Sequence, residues 1–142
     1  MRVLIVEPGQ YPREAEIEPA LKAEQAVVGG LIDVVCPWPD RVCMVINDEG
    51  KLIPLPENRY LPEINDIVFG TFFLCGDAGG TFCDLTDRQV RKYLQRFKAP
   101  ELFWLTPAGL IVQRCSPKEY QERIKAKAAD ARPQAPKERM QR

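Results

Sequence analysis

The chain has 142 residues, 45% of them hydrophobic, and twenty basic residues balance twenty acidic ones to a formal net charge of zero. That length and apolar content suit one globular domain with a real core, and no stretch approaches the roughly 20 consecutive apolar residues that a membrane span needs. Zero net charge gives no electrostatic basis for general nucleic-acid binding, although eight basic residues against four acids beyond Ser116 leave the final segment at +4 and the body at −4.

Residues 3–6, VLIV, read as a buried strand. Their apolar run is shorter than a secretory core of about 7–15 residues, and no small-residue cleavage site follows, which predicts a cytoplasmic address. EPGQYP turns the chain, and REAEIE reads as an edge strand whose charges discourage sheet-to-sheet association. Pro19 suits a first helical position and Gly29-Gly30 a stop, so a helix is predicted over 19–28 with Ala20, Ala23 and Val27 on one face. LIDVVC (31–36) and VCMVIN (42–47) read as strands around a PWPD turn, and NDEGKL as a loop. In LPENRYLPEINDIVFGTFF (55–73), Asn58, Arg59 and Tyr60 lie in a proline-flanked loop. DIVFGTFFLCG (66–76) is the longest apolar run and predicts one central strand covered on both faces.

Thr86 with Gln89 makes a capping box, and Val90, Tyr93, Leu94 and Phe97 follow at helical spacing, which predicts a helix over 87–98. ELFWL and LIVQR flank a TPAG turn as a β-hairpin. Ser116, Pro117 and Glu119 open a polar helix to about residue 129, and DARPQAPKERMQR beyond it lacks the apolar residues to order itself. Residues 1–115 are thus expected as a single domain, and 116–142 as a polar helix with a disordered basic tail.

Absent residues exclude much chemistry. The chain has no histidine, so Ser-His, Cys-His and histidine-metal arrangements cannot form within it. Ser116 is the single serine, and no phosphate-cradling or dinucleotide-binding glycine motif follows the first strand. The five cysteines are odd in number and form no C-x-x-C pair, which fits buried free thiols in a reducing compartment. The carboxylates of NDE (47–49), or Glu63 with Asp66, have the chemistry to hold Mg²⁺ or act as acid and base, but solvated turn residues are the simpler reading. No catalytic set, metal ligand or cofactor is assigned.

Three features invite a ligand. Asn58, Arg59 and Tyr60 lie between Pro56 and Pro62, which restrict the backbone, and together suit a nucleotide: Arg for phosphate, Tyr for stacking, Asn for a base or ribose edge. The plainer alternative pairs Arg59 with Glu57 or Glu63 and sets Tyr60 against the core. Gly70-Thr71 either marks a bulge or lets a ligand approach main-chain donors and the Thr71 hydroxyl. Trp38, between Pro37 and Pro39, is a core plug or an exposed aromatic platform.

The order of the segments VLIVEPG, VVGGLIDVVCPW, VINDEGKL-x-x-LPENRYL, DIVFGTFFLCG and LTDRQVRKYLQRF resembles a bacterial and phage family, domain of unknown function 3846, over roughly residues 1–115. The resemblance implies signature positions at Gly29, Gly30, Asn47, Asn58, Arg59, Gly70, Thr71 and Phe72. It implies no activity, only a habitat of phages, plasmids and conjugative elements, where small accessory proteins blunt host defence.

The expected architecture is α+β: a mixed or antiparallel sheet of about five to seven strands, two helices packed on it, and a polar C-terminal helix. The leading functional expectation is a non-enzymatic accessory protein of a phage or mobile element. It would sequester a small nucleotide-like immune signal through Asn58, Arg59, Tyr60, Gly70, Thr71 and Trp38, as a homo-oligomer if its sites lie at subunit boundaries. The alternatives are a protein–protein inhibitor of a host factor and a carboxylate-based, metal-dependent enzyme that degrades nucleotides.

Overall fold

A computed structural model describes residues 1–130; the end of the expected tail, 131–142, lies outside the described residues. Its centre is a six-stranded antiparallel sheet in the order β2-β1-β7-β4-β3, with β8 paired to β7. The strands are β1 (Arg2–Val6), β2 (Arg13–Glu16), β3 (Ile32–Val35), β4 (Val42–Asn47), β7 (Phe72–Asp77) and β8 (Phe82–Cys83). Two hairpins complete the β-structure: β5 (Glu57–Leu61) with β6 (Asp66–Phe69), and β9 (Glu101–Thr106) with β10 (Gly109–Arg114). The helices are α1 (Leu21–Val28), α2 (Asp87–Arg96) and α3 (Pro117–Asp130). This is the expected α+β class.

Strand alternation gives the sheet two apolar faces. Leu4, Val6, Phe72, Leu74, Val42 and Met44 point to one side, where α2 brings Val90, Tyr93 and Phe97 and the β5–β6 hairpin brings Leu61 and Val68. Val3, Ile5, Phe73, Cys75, Cys43 and Val45 point to the other, where α1 brings Val28. Burying an aliphatic or aromatic side chain of this size contributes about 1.5–3 kcal/mol, so these two layers hold the short helices in place. Trp38 closes the first layer as a plug. Its ring lies 4.7 Å from that of Tyr93 and 6.0 Å from that of Phe97, and its Nε1 donates to Glu63 Oε2 at 2.7 Å.

Three expectations change. The apolar run 66–76 is two strands in two different sheets. Gly70 takes a left-handed φ of 79°, the chain turns there, and only β7 is central. Asn58-Arg59-Tyr60 is not a loop but the middle of β5, with a register shift beside Asn58. Helix α1 begins at Leu21 after an uncapped Ala20, and its buried positions are Glu24 and Val28, with Ala23 and Val27 only half-buried and Ala20 exposed. The capping box at α2 forms as read, with Gln89 N donating to Thr86 Oγ1 and Thr86 N to Gln89 Oε1.

Helix α3 is more than a solvated appendage. Tyr120 is buried against Gly9 in the β1–β2 turn, where a Cβ would come within 2.2 Å of Tyr120 Cδ1. Arg123 lies over the Trp104 ring at 5.1 Å, while Ile124 stays partly exposed.

Candidate functional site

Asn58 and Arg59 do converge, with each other and inside the fold. They are 0% and 1% exposed. Asn58 Nδ2 donates to Val6 O at 2.9 Å and Gly70 O at 2.8 Å, joining β1 to the bend between β6 and β7. Its Oδ1 accepts from Arg59 Nη1 at 2.9 Å. Arg59 Nη2 donates to Gln10 O at 2.8 Å and Phe97 O at 2.9 Å. The expected guanidinium–phosphate contact is therefore replaced by a cage of carbonyls. Burial pushes the Arg59 guanidinium down to about 10, and the nearby Glu101 carboxylate acts in the opposite sense.

Gly70 has an equally internal reason. Leu55 fills the space of the missing side chain, its Cδ1 lying 2.7 Å from where a Cβ would be. Gly70 N–H donates to Pro56 O, so this donor does not face a ligand. Thr71 is half-buried beside it. Tyr60 is partly exposed, donates through its hydroxyl to Asn65 Oδ1 at 2.6 Å, and reaches the rim of a hollow near Arg96 and Arg114. Asn47, Gly29 and Gly30 form a second internal bracket. Asn47 Nδ2 donates to Val28 O at 3.0 Å, and a Cβ on Gly30 would meet that same nitrogen at 2.9 Å.

The Asn58–Arg59 bracket nevertheless has a surface consequence. The carbonyls it grips belong to Gln10 and Phe97, and the next residue in each case, Tyr11 and Lys98, is exposed. Tyr11 and Lys98 form walls of two adjoining hollows of about 480 and 310 Å³, which also share Gln95. Arg91 borders the first, and Arg96 and Arg114 border the second. Arg96 is held by Glu63 at 2.9 Å. Among the described residues Arg91, Lys98 and Arg114 make no ion pair. Among the described residues neither hollow has an Asp or Glu in its wall. An anion placed there meets cations that hold no carboxylate within ion-pair distance among the described residues, although Glu101 stands opposite Arg114 across the hairpin, and an exposed phenol ring.

Sequence reasoning missed this cleft because its parts are far apart in the chain. EPGQYP reads as a turn, and Arg91 and Lys98 as the solvated face of a helix. The available signal was the basic run of Arg88, Arg91, Lys92 and Arg96 along α2 with Lys98 just past its end, next to an aromatic residue that the turn leaves exposed.

A second hollow has the opposite character. It measures about 250 Å³ and lies between the sheet and the β5–β6 hairpin, with Val35, Met44, Ile46 and Val68 among its walls. Asp33, Asp48 and Asp66 stand around it, with Lys51 as the one basic wall residue, already bound to Asp66 at 2.5 Å. Among the described residues no group of three or more His, Cys, Asp or Glu is arranged to hold a metal ion. No described helix is long and apolar enough to cross a membrane. The Cys36 thiol donates to Cys43 Sγ at 3.5 Å with no disulfide between them; burial, with Cys36 adding to it, pushes the Cys43 thiol up to about 12.

The family model described as Domain of unknown function (DUF3846) matches residues 1–98, more than half of the chain, and the chain belongs to that family. No curated protein and no solved structure matches it. The match includes the sheet, the Asn58–Arg59 bracket, Tyr11, Arg91 and Lys98. It stops before the β9–β10 hairpin and α3, which supply Arg114.

Proposed function

We propose that this member of the DUF3846 family is a non-enzymatic binding protein that sequesters a small anionic, nucleotide-like ligand in the cleft between Tyr11, Lys98 and Arg114. Such a protein fits an accessory gene product of a phage or mobile element that withdraws a host immune signal. One observation carries the reading: three cations that make no ion pair among the described residues and an exposed tyrosine surround a cleft whose described walls hold no carboxylate. Lys98, Arg91 and Arg114 take the phosphates, and the Tyr11 ring stacks on a base. Helix α3 begins at the cleft wall beside Ser116, where Glu119 Oε1 accepts from Ser116 N–H at 2.9 Å and caps the helix, so the basic side chains rather than the helix supply the attraction. The buried Arg59 acts indirectly, by fixing the two main-chain segments that present Tyr11 and Lys98.

Thermal shift tests the reading. Cyclic dinucleotides, ADP-ribose and NAD are added separately to the wild type and to the double variant Lys98→Glu/Arg114→Glu. A ligand present at about 100 times its Kd adds about 2.7 kcal/mol to stability. One of these classes should raise the melting temperature of the wild type and leave the double variant unmoved. No rise with any probe, or an equal rise in both proteins, overturns the proposal. A protein–protein inhibitor is the second reading, favoured by the acid-rimmed hollow on the β3 side, and strong salt sensitivity of partner capture is its signature.

A further inference from the structure

The β9–β10 hairpin buries Leu102 and Phe103 at its base and leaves the apolar residues of its tip uncovered. Leu105 is 88% exposed, and its cross-strand partner Leu110 and the adjacent Ile111 are 41% and 50% exposed. Nothing in the described chain covers this tip. Cations flank it: Arg123 lies over the Trp104 ring, and Lys127 Nζ donates to Phe103 O at 3.4 Å. Neither makes an ion pair among the described residues. The same chain carries the complementary surface. The hollow between β3–β4 and β5–β6 is walled by Val35, Met44 and Ile46 together with exposed Leu52 and Ile64, and Asp33 and Asp48 line it without an ion pair among the described residues. No residue of the arm lines that hollow.

We propose that the occupant of this hollow is the arm of a second copy of the chain: Leu105 and Leu110 enter the apolar part, and Arg123 and Lys127 face Asp33 and Asp48. Both halves of the argument concern matching chemistry. Exposed apolar surface on an arm and on a hollow is removed from water together, at about 25 cal/mol per Å². The charges around the two surfaces are opposite in sign, which orients the approach and disfavours arm-to-arm or hollow-to-hollow pairing. At about 250 Å³ the hollow equals about eight water molecules in volume, enough for two leucine side chains. The contact joins two different surfaces, so it is heterologous: two copies exchange arms, or a ring or filament forms.

Complementation tests this directly with the full chain. Variant one, Leu105→Glu/Leu110→Glu, disables the arm; variant two, Asp48→Lys/Ile64→Glu, disables the hollow. All four positions are solvent-exposed or border the hollow, and circular dichroism and melting verify that each variant folds. Sedimentation equilibrium should find the wild type associated, with at least a tenfold weaker association at high salt. Each variant alone should be monomeric, and an equimolar mixture of the two should give a one-to-one dimer, because one intact arm and one intact hollow remain. A monomeric wild type at every concentration overturns the proposal. So does a mixture that stays monomeric while both variants are folded. The Tyr11–Lys98–Arg114 cleft shares none of these residues, so its ligand response in thermal shift is unaffected by either result.

Discussion

The two principal hollows of this protein differ in how they are built. The basic cleft is assembled from the β1–β2 turn, the end of α2 and the base of the β9–β10 arm, and a buried arginine ties the first two of these together. The acidic hollow lies between two β-layers and needs only neighbouring strands to exist. One therefore depends on a few hydrogen bonds to a single side chain, and the other on the apolar packing of the whole sheet. The lesson is that a surface of loop residues is only as well defined as the buried group that holds its backbone.

The strongest way to break this comparison is Arg59→Met. It leaves the Gln10 and Phe97 carbonyls and Asn58 Oδ1 without their donor. Chemical denaturation should show a loss of about 3 kcal/mol or more. A loss below about 1 kcal/mol would mean that the bracket does not hold the cleft together.

A smaller effect is expected from Gly9→Ala. Gly9 has a φ of 74°, and the added methyl collides with Tyr120, so about 1–3 kcal/mol should be lost. Ala in place of Gly79, whose added Cβ would meet nothing within 4 Å although its φ is also positive, separates the steric cost from the backbone cost.

Lys98→Glu/Arg114→Glu sharpens the contrast between the hollows. It should cut anionic-ligand affinity at least tenfold while moving the denaturation midpoint little, since both side chains are exposed. Asp48→Asn should leave the same affinity unchanged.

The smallest effect concerns pH. Burial acts to raise the Asp40 carboxyl, but hydrogen bonds from Lys92 at 2.6 Å and from the Tyr93 hydroxyl at 2.6 Å outweigh it and hold the group below the usual aspartate range. A carboxylate depressed in the folded state contributes stability above its unfolded pKa, and that contribution disappears as pH falls through the folded value. Urea midpoints should accordingly fall on acidification, with a shallower slope in Asp40→Asn. Equal slopes would remove Asp40 from the account of acid sensitivity.

Much of the fold was legible in the sequence, and the reason is periodicity. The β1 and β4 runs, the hairpin at 101–114 and the α2 capping box each carry a local signal that tertiary contacts reinforce. The 55–73 stretch was not, because its polar residues answer to partners up to 52 positions away. Asn58 and Arg59 look like ligand-binding residues, with donors in abundance and restrained by prolines. Their acceptors are carbonyls of β1, the β1–β2 turn and the end of α2, which no local pattern announces. Gly70 was recognised as special, but whether its open side received a ligand or Leu55 was settled only by the packing. The basic cleft escaped for the same reason in reverse: its residues are ordinary one by one, and only the fold makes them neighbours.

The contact between Gly9 and Tyr120 sets an order of events during synthesis. The β1–β2 turn holds a place for a ring that is translated more than a hundred codons after it. Until that ring arrives Gly9 lacks the surface it packs against, so a nascent chain has every strand of its central sheet well before this turn is braced.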